Sequence, residues 1–444
     1  VAEQVKNLGI PGLAFGIIQD GQIAHLQGFG IADSSGLTVT PQTPFYLGSV
    51  TKSFTALAVM QLVEEGKIDL DTPVQTYLPW WSLADEEASA NITVRHLLNQ
   101  SSGFSTKDGN RFWPSREGLE ETLHKLDTLH LTQPVGTTFQ YSNINYMTAG
   151  LIVEKVSGQS YADYVTEHIF EPLGMQHSYA AHDPALADGL AQGHTYMFGQ
   201  AFASDGPMPP SFLPTGFLIS SAEDMTHYLI AHLNDGWYGE SSVLSPQGIA
   251  ELHAPAIPVG DHFYAMGWFV GTKDGVTLMN HNGDAGRNHA IVTLVEERGF
   301  GVVLLANATG FVQQQQVDEL SYMIVSNMVF GTSLEPIGLP IGLRLQYWGV
   351  LLTPFLQILG MVFVWRKRYG MQAWGAVLAV VLNLAVVFVL YKVSLRIITL
   401  PSMMKFYPDL GYGLAAIAIL GITASIGSTL IYIKNRGMRK SDRL

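Results

Sequence analysis

The chain has 444 residues, no cysteine, 47% hydrophobic and 14% charged residues, and a formal net charge of −13. Disulfides are therefore excluded, and so low a charged fraction argues against a wholly soluble chain and for membrane segments. The charge is also divided: residues 1–336 hold 12 Lys and Arg against 35 Asp and Glu, a net of −23, whereas residues 337–444 hold 12 against 2, a net of +10.

In chain order, LAFGIIQDGQIAHLQGFG (13–30) reads as two strands joined at Asp20-Gly21, a strong hairpin signal. Next, YLGSVTKSF (46–54) opens a helix that Gly66 closes, and from Val50 to Val63 nearly every residue is apolar or small. Such a helix is buried on most sides. Lys52 on it must be paired or lose its proton, and Ser49 at i−3 shares its face. A desolvated lysine can take a serine's proton and make the hydroxyl a nucleophile. A snorkelling surface lysine is the other reading of that stretch, and a second Ser-x-x-Lys at 402–405 shows that the spacing alone means little.

A helix is expected over 144–157, and SSAEDMTHYLIAHLNDG (220–236) has the Ser–Glu spacing of a capping box. Four strands follow in YAMGWFVG, GVTLMNHNG, AIVTLVEE and GFGVVLLAN (264–307), and an amphipathic helix over 317–330 closes the region. Strands from both ends of this region predict an α+β fold: one antiparallel sheet flanked by helices, with a helical insertion to one side. There is no internal repeat, low-complexity tract or His-Glu-x-x-His spacing, so neither metal nor cofactor is implied.

Three apolar runs, 346–365, 373–391 and 411–433, each have the length to cross a bilayer. They predict a three-helix transmembrane domain (337–444) after an exported catalytic domain (1–336). Gln357 and Asn383 should face other helices, and Ala418, Gly421, Ser425 and Ser428 form a packing face. Arg366, Lys367 and Arg368, and the cations from Lys434 to Arg443, outnumber Lys392, Arg396 and Lys405. That bias puts the C-terminus in the cytoplasm and residues 1–336 on the outer, periplasmic side of the cytoplasmic membrane. Export needs a signal that VAEQVKNLGIPG lacks, so Val1 is expected to be a processed or trimmed start.

Two further stretches bear on Ser49: Tyr141-Ser142-Asn143 in FQYSNINY and His281-Asn282-Gly283 in LMNHNGDAG. Taken singly they are an ordinary loop tyrosine and a satisfied strand histidine. In order, with IPGLAFGIIQDG, VRHLLNQSSGF, PVGTTFQYSN, FEPLGMQHS, TGFLISSAEDM and MGWFV around them, they make residues 8–330 resemble the penicillin-recognising serine acyl-transferases. That group includes class C β-lactamases, D-alanyl-D-alanine carboxypeptidases, related esterases and D-amino-acid-specific peptidases. Lys273-Asp274-Gly275 mimics the group's Lys-Thr-Gly motif but reads as a hairpin turn.

The resemblance implies a β-lactamase/transpeptidase-like fold with Ser49 as nucleophile. Lys52 and Tyr141 would share the proton transfers, the Tyr141 pKa being lowered by a Lys52 ammonium. His281 would orient Tyr141 or the substrate, Asn143 would hold Lys52 and a substrate amide, and the N–H groups of Ser49 and Asp284, beside Gly283, would form an oxyanion hole. Histidine in place of the motif's lysine weakens any grip on a substrate carboxylate. The Asp284 carboxylate and the acidic domain favour a cationic peptide. With three spans, the chain resembles membrane-anchored D-amino-acid-specific peptidases, some of which mature nonribosomal peptides by removing an acyl-D-residue leader while others destroy cationic peptide antibiotics. Asn143 and Tyr46 depart from the maturation type, so resistance by cleavage is expected. A tethered esterase and a β-lactam sensor are the alternatives. Expected partners are the peptide, the lipid bilayer, and a peptide exporter or a second copy through the spans, with no nucleic acid.

Overall fold

Strands from the two ends of the first region carry residues that only a sheet covered on both faces can hide. The computed structural model describes residues 2–113, 115–204, 208–332, 341–366, 373–394 and 400–441. It divides into two units, Val1–Gly338 and Leu339–Leu444, and the boundary expected at 336 lies outside the described residues.

In the first unit, β1 (Gly12–Gln19) and β2 (Gln22–Gly30) join β3 (Ile257–Val259), β4 (His262–Tyr264), β5 (Phe269–Lys273), β6 (Val276–Asp284), β7 (His289–Val295) and β8 (Phe300–Ala306). The antiparallel order is β2-β1-β8-β7-β6-β5-β4-β3, with β1 pairing β8 from Leu13↔Ala306 to Ile18↔Gly301. Beside it, α1 (Thr51–Glu64) and α2 (Asn143–Ser157) pack against each other, while α3 (Ala222–Leu233) lies against β1 and β8 and α4 (Gln313–Phe330) lies against β7 and β8. Along β8, Phe300, Val302 and Leu304 share an apolar cluster with Val317, Leu320 and Ile324 of α4. Val303 and Leu305 fall in the other cluster, with Phe54 of α1, Met147 of α2 and Met225 of α3. That is the period-two alternation of a pleated strand. With both faces covered, β7 and β8 are buried throughout and read as continuous apolar runs.

The expected elements are present, with three corrections. The short edge strands β3 and β4 were not anticipated; Pro258 sits in β3, where an edge tolerates it. Ser49 lies in a 3₁₀ turn, Gly48–Val50, ahead of α1 rather than inside it. The cap of α3 is Ser221, whose side chain accepts from Asp224 N–H. No capping box forms, because the Asp224 carboxylate accepts instead from His177 N–H and Ser178 Oγ. Lys273-Asp274-Gly275 is the β5–β6 turn, with Asp274 and Gly275 at φ +51° and +78°.

The second unit holds α5 (Ile341–Arg366), α6 (Ala373–Ser394) and α7 (Pro408–Ser441). Two segments, Arg344–Arg366 and Pro408–Lys434, are long and apolar enough to cross a membrane. The middle run lies on α6, where the apolar stretch among the described residues is Val380–Val389, so two of the three expected spans are clear and the third is weaker. Gln357 Nε2 donates to Ile417 O at 3.2 Å and to Asn383 Oδ1 at 3.3 Å, which keeps both polar side chains among helices. The buried face of α7 runs Leu414, Ile417, Gly421, Ala424, Ser428; Ala418 and Ser425 are half-buried beside it. Lys367, Arg368, Arg396 and Arg443, on which the orientation partly rests, lie outside the described residues.

Candidate active site

Two glycines bring the Ser49 turn against the end of β6. Gly48 adopts φ +53°, and a Cβ built on it would stand 2.4 Å from Asp284 N. A Cβ on Gly283 would stand 2.1 Å from Leu47 O and 2.6 Å from Ser49 N. No side chain fits between them, so the backbone N–H groups of Ser49 and Asp284 are held side by side. Leu47 N–H donates to Leu218 O at 2.9 Å and anchors the turn from the other flank.

α1 then carries Lys52 into the interior, where it is fully buried. Its Nζ lies 3.1 Å from Ser49 Oγ, 2.9 Å from Asn143 Oδ1 and 2.7 Å from Thr215 O. None of these partners is an anion, so burial depresses the Lys52 pKa well below the lysine range. A neutral amine has two N–H donors and one lone pair. The carbonyls of Asn143 and Thr215 take the donors, and the lone pair is left for the Ser49 hydroxyl. The Tyr141 ring stands with its centroid 4.8 Å from the same nitrogen.

Burial pushes the Tyr141 phenol above its ordinary value, and only the interaction with Ser49 opposes that. The expectation of a lowered Tyr141 pKa is therefore corrected: a lysine that has shed its proton supplies no charge to lower it. Tyr141 rests as a neutral phenol beside Ser49, able to hand on a proton but not to abstract one unaided.

His281 is buried, its ring 6.3 Å from that of Tyr141. Its Nδ1–H donates to Asn282 O at 2.6 Å, which leaves Nε2 to accept from the Tyr264 hydroxyl at 3.3 Å. Burial first, and any positive charge on Lys52 second, pull its pKa down to about 3. It is a neutral imidazole with no charge to offer a carboxylate. Asn143 Nδ2 donates to Asn110 Oδ1 at 3.0 Å. The Asp284 carboxylate accepts from Gly286 N–H at 2.6 Å and Thr309 Oγ1 at 3.0 Å, so it braces the following turn, while its N–H lies beside that of Ser49.

The structure thus gathers Ser49, Lys52, Tyr141, Asn143, His281, Gly283 and the Asp284 backbone around one point. Sequence reasoning missed the Thr215 carbonyl, Asn110 and Tyr264. Tyr264 was within reach, since YAMGWFV begins with it; a main-chain carbonyl leaves no side-chain signal. A cleft of about 490 Å³ is lined by Tyr46, Phe217, Ala285, Asp33, His182 and Arg287 among others; Tyr46 and Ala285 are close in sequence to the turn and to the end of β6, but Ser49, Lys52, Tyr141 and His281 do not themselves line it. No group of His, Asp and Glu among the described residues could hold a metal ion.

Residues 1–324 match the Beta-lactamase family. Among curated proteins, Protein flp of Staphylococcus aureus (strain MW2) is 27% identical over 326 residues, 73% of this chain and 65% of that protein. Unguisins hydrolase ungD' of Aspergillus campestris is 30% identical over 330 residues, 70% of this chain and 60% of that protein. The aligned region therefore spans less than two thirds of each relative's length. Among solved structures, the octameric penicillin-binding protein homologue from Pyrococcus abyssi superposes with a TM-score of 0.64 at 28% identity, covering 76% of this chain and 77% of that one. The chain belongs to the beta-lactamase family of serine hydrolases, and it carries helices able to anchor it in a membrane.

Proposed function

We propose, with that membership as premise, that the chain is a membrane-anchored serine peptidase that cleaves peptides containing D-amino acids, preferentially cationic ones, through an acyl-enzyme. The observation that carries the chemistry is the Lys52 amine, buried without a counter-ion and 3.1 Å from Ser49 Oγ. Ser49 Oγ attacks the scissile carbonyl while its proton passes to Lys52. The oxyanion forms against the N–H groups of Ser49 and Asp284, donors that each contribute a few kcal/mol. As the carbon–nitrogen bond breaks, the electron pair leaves on nitrogen, which takes a proton from Tyr141, and Tyr141 recovers one from Lys52. Water then repeats the sequence on the ester.

The neutral His281 supports a substrate that does not present an anion there, against a β-lactam or cell-wall carboxylate. The net negative charge of residues 1–336 supports attraction of cations. The name of the Aspergillus relative, a hydrolase of unguisins, fits a hydrolytic role. A third span on α6, an outward-facing catalytic unit and a cytoplasmic C-terminus belong to the same proposal. Removal of an acyl-D-residue leader is the second reading, favoured by the carbonyl and amide groups around Lys52, with Asn143 Nδ2 reorienting from Asn110 to a substrate amide. Mass spectrometry of cationic and acyl-D-Asn peptides incubated with the enzyme decides between them. Ser49→Ala should leave every peptide intact, and intact peptides with the wild-type protein would sink both readings.

A further inference from the structure

Gln100 is fully buried and holds φ +57°. The other non-glycine residues at positive φ among the described ones, Asp20, Phe198, Asp235 and Asp274, are exposed and each directly precedes a glycine. Gln100 instead precedes Ser101 inside the core. A side chain held left-handed in the interior persists only where its surroundings over-determine it.

What surrounds Gln100 is the loop that carries Tyr141. Its main-chain carbonyl accepts from Gln140 N–H at 2.8 Å. Its side-chain Oε1 accepts from Ser142 N–H at 2.8 Å and from Asn145 Nδ2 at 2.5 Å. Asn145 Oδ1 accepts in turn from Ser102 Oγ at 2.6 Å, so the chain just after Gln100 also grips α2. The left-handed backbone lets one residue present both of its carbonyls to one loop, on either side of Tyr141. A right-handed residue at 100 would turn one of them away. Tyr264, the partner of His281, also approaches the Gln100 side chain.

We infer that Gln100 is the positioning residue for Tyr141, clamping residues 140 and 142 so that the phenol stays on Ser49 while a proton passes to the leaving group. The inference rests on the acyl-transfer chemistry proposed above but not on the peptide as substrate. It predicts a dependence that a merely structural residue would not produce. A p-nitrophenolate leaves without a proton, whereas an alkoxide or an amide nitrogen needs one from Tyr141.

The test uses the full chain in detergent and a series of acyl esters, from p-nitrophenyl to alkyl, with a matching amide. Gln100→Asn keeps a residue that accepts positive φ but shortens the carboxamide by a methylene; Gln100→Gly frees the backbone and removes the side-chain acceptor. Both should lose about 100-fold in kcat/KM on the alkyl ester and about threefold or less in kcat/KM on the p-nitrophenyl ester, because kcat/KM reads acylation alone, whereas in deacylation the Ser49 alkoxide needs the Tyr141 proton whichever ester was used. Gln100→Gly should be at least as heat-stable as Gln100→Ala. Gln100→Glu, which keeps an acceptor oxygen at the same reach, should recover most of the alkyl-ester rate. Equal losses across the series, or full rates in both variants, would overturn the inference. A wild-type protein that turns over esters but no amide counts against the peptidase reading, while the ester series still decides the role of Gln100.

Discussion

The sheet of the first unit has a buried basic group on each face, and the two have opposite fates. On one face, the hydrogen-bond partners of Lys52 among the described residues are the carbonyls of Asn143 and Thr215 and the Ser49 hydroxyl, none of them charged, and its pKa falls. On the other, His289 Nε2 meets the Asp318 carboxylate at 2.8 Å. Burial pulls the imidazole down, but Asp318, by its charge and hydrogen bond, and Asp284 more than offset it, and the net shift is upward. Both groups are buried, so burial is not what separates them. A dipolar partner leaves a base; an ionic partner makes a clasp. Asp318 Oδ2 also accepts from Asn282 Nδ2 at 2.7 Å, so the clasp ties α4 to β6 and β7 directly behind His281 and Gly283.

The comparison breaks most completely at Lys52. Lys52→Arg installs a group that stays protonated, and acylation of Ser49 followed by single-turnover mass spectrometry should slow by about 10³-fold. Asn143→Asp would turn the base into a clasp by placing a carboxylate 2.9 Å from Nζ. The Lys52 pKa should then rise, and because the neutral amine is the working form, the acidic limb of kcat/KM should move to higher pH. Near neutrality the rate should fall by about 10²-fold. An unshifted limb would mean that Lys52 is not the base. The smallest effect is on stability and sharpens the other side. Since the His289 pKa is raised, its contribution is fully present below its unfolded value near 6.5 and is lost as pH rises through the folded value. Asp318→Asn should cost about 3 kcal/mol at pH 6 by urea unfolding, with the gap to wild type narrowing as pH rises.

Much of this arrangement was legible because it is local. A lysine on a helix apolar from Val50 to Val63 has few solutions, and Asp20-Gly21 and Asp274-Gly275 announce their hairpins. What stayed hidden depends on groups without a sequence signature or on distances only the fold sets. The Thr215 carbonyl is main chain, and β3 is three residues long with a proline in the middle. The Tyr141 pKa was read with the wrong sign because a charged Lys52 was assumed, and only the depth of burial decides its protonation. Asp284 reads as a free carboxylate in sequence; the fold spends it on Gly286 and Thr309.

The contact of Gly48 with Gly283 has a consequence for timing. Two main chains pressed together with no side chain between them form a mechanical stop, and nothing in that joint has a rotamer to change. The paired N–H groups are consequently held to their spacing before any substrate arrives, and in the proposed reaction they would need no reorganisation as charge develops on the oxygen. Selectivity has to arise further out, where side chains can yield, and the joint itself is indifferent to whether an amide or an ester comes to rest on it.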